Sequence, residues 1–342
     1  MNQTPSASPP RVSILIPSYN HAPYLPACIG CIRNQTFADW ELVVVDDGSR
    51  DDSVALLNAY AEEDVRIRVY VNERNLGTYG TEQRALELAK GSLIAIMNSD
   101  DLWATEKLER QIDCLDCNPD CGLCYVLGQM VDADGRPMED TDVHADWPKT
   151  ERQEVLPYLL YENRVLASGV LFRREGLRFE TTCRYSGDWV ALLEFAVQGP
   201  VCCVPEKLTF WRQHETNSYV RSVGQLVEEI RVRDAILKDA ERWRVPRIEP
   251  ALIKAGLERN GRHLFVLAIY LKSKSLARRT VLSLMRVGAM GPLSAAKRWL
   301  ATFMPGEFIR LYFIKGPDRD WLKLDIDEAR KRLATQPPLE FQ

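Results

Sequence analysis

Residues 12–53 read VSILIPSYNHAPYLPACIGCIRNQTFADWELVVVDDGSRDDS. Two short, apolar, β-branched runs, Val12–Pro17 and Glu41–Val45, flank one helix-length segment, Ala22–Asn34. Such runs suit strands buried on both faces of a parallel sheet, and a helix between two of them makes a right-handed crossover. The alternation continues outward, with a helix over Ser53–Glu62, a strand over Ile67–Val71, a helix over Thr81–Lys90 and a strand over Ser92–Met97. The pattern predicts an α/β fold whose sheet is mainly parallel and flanked by helices.

Further along, a helix is expected over Leu102–Asn118, then a strand over Gly122–Asp132 that enters a hairpin-like turn at Asp134-Gly135, where parallel order ends. Residues 136–165, with Pro137, Pro148 and Pro157, read as a loop-rich insertion, and a further block runs from Ala167 to Ser218. Beyond residue 221 the chain turns to helical patterns rich in Arg, Leu and Glu, as in QLVEEIRVRDAILKDAERW, and no strand signal returns. The resulting organisation is a disordered tail at 1–10, one α/β domain at 11–220 and a C-terminal helical appendage at 221–342.

Lys and Arg number 44 against 48 Asp and Glu, a net charge of −4, so no global basic field exists to gather nucleic acid, and any phosphate must be held locally. The opening MNQTPSASPP lacks the basic start and apolar run of a signal peptide. No stretch approaches the roughly 18 uninterrupted apolar residues of a spanning helix, so a soluble, cytoplasmic protein is expected.

Nine cysteines include the C-x-x-C pairs Cys28/Cys31, Cys114/Cys117 and Cys121/Cys124, which invite a zinc or redox reading. Against it, Leu25, Cys28, Ile29 and Ile32 share one helical face, and the gap from Cys117 to Cys121 is far shorter than zinc-ribbon spacing. Reduced, buried thiols acting as small hydrophobes are therefore expected.

Open α/β sheets bind ligands at the C-terminal ends of their strands. Three strands here end in polar residues: Pro17-Ser18-Tyr19-Asn20, Asp46-Asp47-Gly48-Ser49 and Asn98-Ser99-Asp100-Asp101. Carboxylate pairs emerging from one sheet edge repel each other unless a cation or a donor-rich ligand lies between them. An acid at the second strand end suits a base imide or a ribose hydroxyl, and Asp100 and Asp101 offer hard oxygen ligands for Mg²⁺ or Mn²⁺ bridging to a diphosphate. Turn-forming and capping roles explain the same residues more plainly, and for Gly48, Ser49 and Asp52 they are the better reading.

The opening stretch resembles glycosyltransferase family 2, whose pattern is an apolar strand, P-[TS]-Y-N, a helix ending N-Q-T, and V-V-D-D-G-S. The match continues through Asn75-Leu76-Gly77, Ala89-Lys90-Gly91 and the Asp100-Asp101 pair. The resemblance implies a GT-A, Rossmann-like fold and an inverting, metal-dependent transfer of sugar from a nucleoside diphosphate donor, UDP-linked, to a hydroxyl on a glycan or lipid-linked acceptor. It implies that Pro17, Ser18, Tyr19 and Asn20 line the nucleotide pocket, with Asp47 reading the base and Asp46 nearby. Asp101 becomes the direct ligand to Mn²⁺ or Mg²⁺, with Asp100 nearer the ribose. Asn98 departs from the commoner D-x-D-D. Thr81-Glu82-Gln83 replaces the usual Ala-Arg-Asn, so a cation near the nucleotide is missing or comes from Arg74 or Arg84.

In Tyr185-Ser186-Gly187-Asp188-Trp189 the resemblance makes Asp188 the general base, although an ordinary N-cap would look the same. Trp211-Arg212-Gln213-His214 is similar to the family's aromatic-R-x-H segment, with Arg212 on the diphosphate and His214 on metal or diphosphate. The basic helical stretch from His263 to Leu300 reads as packing of an appendage or, alternatively, as peripheral attachment to an anionic membrane. Two rivals stay open: a nucleotidyltransferase, although Pro17-Ser18-Tyr19-Asn20 is not its Gly-rich basic phosphate loop, and a sugar-nucleotide-binding protein that has lost catalysis.

Overall fold

A computed structural model describes residues 8–138, 143–144, 147–214, 223–243, 249–270 and 273–304. They fall into two compact units, one within 1–159 and 163–215, the other within 160–162 and 216–342. Most of the expected tail, residues 1–7, and the end of the Ala167–Ser218 block lie outside the described residues.

The larger unit begins with β1 (Val12–Ser18), α1 (Leu25–Arg33), β2 (Trp40–Asp46), α2 (Ser53–Glu63), β3 (Ile67–Val71), α3 (Gly77–Leu88) and β4 (Leu93–Ile96). It continues with β5 (Leu102–Trp103), α4 (Lys107–Cys117), β6 (Leu123–Val131), β7 (Arg152–Gln153), α5 (Leu156–Tyr161, its last two residues counted with the other unit), β8 (Val170–Arg173), α6 (Gly187–Ala196) and β9 (Val201–Arg212). One nine-stranded sheet runs β3-β2-β1-β4-β8-β6-β9-β5, with β7 against β9. Its first four strands are mutually parallel. Parallel order is broken by β8, which lies antiparallel between β4 and β6, rather than by the Asp134-Gly135 turn.

The β-branched runs form the sheet centre because both faces are covered: Ile14, Ile16, Leu42, Val44 and Ala95 join Leu25, Cys28, Ile29 and Ile32 of α1 in one core. Burying each Ile, Leu or Val among them contributes about 1.5–3 kcal/mol, enough to override local preference. All nine cysteines are free, and Cys114, Cys121, Cys124 and Cys202 belong to that core.

The expected helix over Leu102–Asn118 is shorter, because Leu102 and Trp103 pair with Phe210 and Thr209 of β9. Lys107, the first residue of α4, is buried, with Nζ donating to Gln111 Oε1 at 2.7 Å and lying 3.9 Å from the centre of the Trp103 ring. Burial lowers its pKa to about 7.

The β6–β9 pairing is irregular in its middle. Val126 faces Val204, Leu127 faces Lys207, and Gly128 faces Thr209, after which regular register carries Val131 to Arg212.

The second unit holds α7 (Val223–Lys238), α8 (Pro250–Tyr270), α9 (Lys274–Arg286) and α10 (Pro292–Ala301). Its buried contacts include Ile253, Leu257, Leu264, Phe265, Val281 and Leu284. Among the described residues no helix is long and apolar enough to cross a membrane.

Candidate active site at the strand ends

Because β2 and β4 lie on opposite sides of β1 while the chain runs β1, β2, β3 and then β4, the strand order reverses at β1, and the crevice beyond the ends of β1 and β4 is where such sheets take ligands. The residues following those two strands include His21 and Asp100. Both meet His214, two residues beyond β9. One donor atom from each of His21, Asp100 and His214 lies within 4.8 Å of the other two.

Asp100 Oδ2 is 3.0 Å from His214 Nε2 and 3.9 Å from His21 Nε2. Ser99 Oγ sits 2.7 Å from His21 Nδ1, which fixes the ring and turns its other nitrogen toward the carboxylate. His214 stacks on Tyr24 at 4.2 Å between centroids and meets His21 edge-on at 5.7 Å. Burial lowers the pKa of His21, with the charge of Asp100 opposing, so the neutral, metal-binding imidazole is favoured. For Asp100 burial pushes upward, but hydrogen bonding and charge from the two histidines outweigh it, and its carboxyl lies below the usual range. Two imidazoles and a carboxylate form a donor set suited to a divalent transition-metal ion.

Asp101, expected as the direct metal ligand, is absent from this group, and both its oxygens are engaged elsewhere. Oδ2 accepts from Ser168 Oγ at 2.5 Å and Asn98 Nδ2 at 3.1 Å, while Oδ1 accepts from the Arg212 backbone N–H at 3.1 Å. Burial and the neighbouring Asp100 charge push its pKa up to about 7. Its position ties β9 to the end of β4. Arg212 donates from Nη1 to Ala133 O and its guanidinium carbon lies 5.3 Å from the Tyr24 ring centre.

The acids at the end of β2 are likewise drawn inward. Asp46 accepts from the Ser49 N–H (2.7 Å), Ser49 Oγ (2.6 Å) and Ser18 Oγ (3.2 Å), closing a turn in which Gly48 has φ +80. Asp47 accepts from Asn72 Nδ2 at 2.7 Å and from the backbone N–H of Leu76 (2.7 Å) and Gly77 (2.9 Å). Those two N–H groups open α3, so the carboxylate caps the helix from about thirty residues away in sequence, and α3 begins at Gly77 rather than Thr81. Asn20 adopts φ +53, and its N–H donates to Ser49 Oγ while Oδ1 accepts from the Arg50 N–H. Pro17 is half-buried and Tyr19 is exposed at the same edge.

Arg74 is exposed, and among the described residues it makes no hydrogen bond or ion pair. Arg84 donates to Val71 O and Asn72 Oδ1 instead, steadying the loop before α3. Asp188, second residue of α6, accepts a 2.9 Å hydrogen bond from Tyr79 Oη. Glu82, which replaces the family's usual Arg, is buried, and neither carboxyl oxygen has a hydrogen-bond partner. Burial, then the Asp188 charge, raises its pKa well above the usual range.

Sequence reading missed His21, Ser168 and Tyr79. His21 follows Asn20 directly, so its position beside the strand end was the available signal. Ser168 and Tyr79 acquire their partners only through pairings 67 and 109 residues apart.

This sheet order places acids at the crevice where α/β sheets take ligands, and comparison with known proteins identifies the family. Residues 13–177 match Glycosyl transferase family 2, so the greater part of the larger unit is a domain of that family. A stretch of 136 residues is 34% identical to the putative teichuronic acid biosynthesis glycosyltransferase TuaG of Bacillus subtilis, covering 40% of this chain and 53% of that protein. Another, of 101 residues, is 42% identical to the Escherichia coli UDP-Glc:alpha-D-GlcNAc-diphosphoundecaprenol beta-1,3-glucosyltransferase WfgD, covering 30% and 39%. These matches span about half or less of the relatives' own lengths. The GT-A fold is shared with S. aureus TarS 1-349 in complex with UDP-GlcNAc (TM-score 0.62, 17% identity, 94% and 89% of the two chains). It is shared too with the mannosyltransferase PcManGT of Pyrobaculum calidifontis in complex with GDP-Man and Mn²⁺ (TM-score 0.53, 19% identity, 96% and 88%).

Proposed function

We propose that the chain is an inverting, metal-dependent glycosyltransferase that moves a sugar from a UDP-linked donor to an acceptor hydroxyl on a glycan or lipid-linked intermediate. The observation that carries this reading is the meeting of His21, Asp100 and His214 within 4.8 Å in the crevice, in a unit that also holds Asp188 at the start of α6. His21, Asp100 and His214 would hold the ion, and two imidazole donors favour Mn²⁺ over Mg²⁺. When bound, the ion supplies positive charge against the departing diphosphate. Asp101 holds the β9 end in place, and Asp47 shapes the opposite wall by capping α3.

Asp188 takes the proton of the acceptor hydroxyl as that oxygen bonds to the anomeric carbon and the bond from this carbon to the diphosphate oxygen breaks. Attack from the face opposite the leaving group inverts the centre, and the proton ends on Asp188. A uridine donor is supported by the TarS complexes with UDP and UDP-GlcNAc and by the named donor of WfgD, whose name also supports a lipid-linked acceptor.

A thermal-shift screen of UDP-, GDP- and dTDP-sugars with and without Mn²⁺ tests the reading. A UDP-sugar with Mn²⁺ should stabilise most, by about 2.7 kcal/mol at roughly 100 Kd. Asp188→Ala should keep that shift and lose turnover; undiminished turnover would remove the base assignment. Release of pyrophosphate in place of UDP would make the protein a nucleotidyltransferase.

An anionic membrane surface is the partner proposed for the helical unit. From Arg259 to Met304 there are nine Lys or Arg and no Asp or Glu, within a chain of net charge −4. On α9, α10 and the residues just after them, Leu282, Met285, Leu293, Leu300, Phe303 and Met304 are exposed. Apolar side chains beside basic ones suit insertion at the headgroup level of an anionic leaflet. Sedimentation with vesicles containing phosphatidylglycerol should recover the protein at low salt and release it at high salt, with Leu300→Glu/Phe303→Glu abolishing binding. Equal recovery with neutral vesicles, or none with either, would reject the assignment.

A further inference from the structure

Tyr79 is buried on α3, and its hydroxyl reaches across to the start of α6 to donate to Asp188 Oδ1 at 2.9 Å. The contact depends on the residue before Asp188. A Cβ at Gly187 would stand 2.5 Å from Tyr79 Cγ and 2.7 Å from both Cδ atoms, so only glycine lets the ring lie against the first turn of α6. One helical turn along α3, Glu82 is buried too, with neither carboxyl oxygen hydrogen-bonded, and the Asp188 charge adds to burial in raising its pKa. The Tyr79 hydroxyl is given to Asp188, and no hydrogen bond reaches Glu82.

We propose that Tyr79 is a positioning residue for the Asp188 base: its hydroxyl holds one carboxylate oxygen in place and keeps the negative charge on Asp188 rather than on the neighbouring Glu82. The inference rests on the reading of Asp188 as base. A hydroxyl donating to an ionised carboxylate makes one of the stronger protein hydrogen bonds, and it favours the charged acceptor. Burial and the Asp188 charge both raise the Tyr79 pKa well above its ordinary value, so the phenol keeps its proton wherever the enzyme works. Glu82, lacking any donor, is driven to its neutral form by the same surroundings. Without the phenol, Asp188 loses the hydrogen bond that holds Oδ1.

The test uses the full chain with Mn²⁺ and the UDP-sugar selected by the thermal-shift screen, reading UDP release against pH. Tyr79→Phe should move the acid limb of the kcat profile upward by about one unit, so that kcat falls about tenfold along that limb. The KM for donor and the affinity for UDP should stay unchanged, and activity should recover toward wild type as pH rises. Replacing Tyr79 with 3-fluorotyrosine, which keeps the ring and strengthens the donor, should move the acid limb downward, and it covers the case in which Tyr79→Phe fails to fold. Asp188→Asn, measured alongside, separates two failures. Full turnover in Asp188→Asn overturns the base assignment itself. An inactive Asp188→Asn together with unshifted acid limbs in both Tyr79 variants overturns the positioning role alone.

Discussion

The two carboxylate pairs of this sheet edge look alike in sequence and are used differently. Asp46 and Asp47, at the end of β2, spend all four oxygens on the protein itself: one acid closes a turn and the other caps α3. The pair after β4 divides. Asp101 turns inward to Ser168, Asn98 and the Arg212 backbone, while Asp100 faces two imidazoles. A doubled aspartate at a strand end thus identifies the ligand edge, but hydrogen-bond donors brought from distant elements decide which oxygens remain for a ligand. Every one of those donors is a backbone N–H or a small polar side chain that sequence pattern treats as ordinary.

The sharpest way to break this contrast is Asp100→Asn. Turnover should fall about 10²–10³-fold, and Mn²⁺ titration followed by EPR should show the bound fraction lost, with little change in the urea midpoint. If Asp101→Asn instead abolishes Mn²⁺ binding while Asp100→Asn retains it, the assignment is reversed. Next in size is Asp47→Asn, which turns an amide toward three donors and should cost about 2–3 kcal/mol in urea unfolding, with UDP affinity changing little. Loss of UDP affinity at unchanged stability would mean that Asp47 reads the base after all.

Glu82 extends the comparison to a buried acid with no donors at all. Its folded pKa is raised, so its stabilising contribution is complete below its unfolded value near 4.5 and is lost as pH rises. Glu82→Gln should therefore gain on wild type by up to about 1.4 kcal/mol per pH unit above that value, seen as diverging urea midpoints between pH 5 and 8. Parallel midpoints would mean that Glu82 is ionised in the fold. The smallest effect belongs to Ser49→Ala, which removes the hydroxyl bridging Asp46 and the Asn20 backbone. It should cost about 1 kcal/mol and leave turnover within about twofold; a larger loss of turnover would give the first pair a direct part in binding.

Much of the fold was legible because burial on both faces of a parallel sheet leaves a strong local trace: β1, β2 and β3 fall where their β-branched runs lie. What local pattern could not reveal depended on distant partners. Leu102 and Trp103 look helical until β9 pairs with them, and Gly77 joins α3 because Asp47 caps it. The site followed the same rule. Asp100 and His214 were readable from family motifs, while the inward turn of Asp101 required Ser168, and the recruitment of His21 required β1 and β4 to end side by side.

The uneven middle of the β6–β9 ladder has a consequence for the crevice. With uninterrupted pairing from Val126 onward, Val131 would sit opposite Thr209 rather than Arg212, so β9 carries three additional residues over that interval. Three residues of extended chain span about 10 Å. That slack acts as a length gauge: removing a residue at Pro205 or Glu206 would draw His214 back from Asp100 without altering any group that does chemistry, whereas lengthening it there would push the imidazole past its partner.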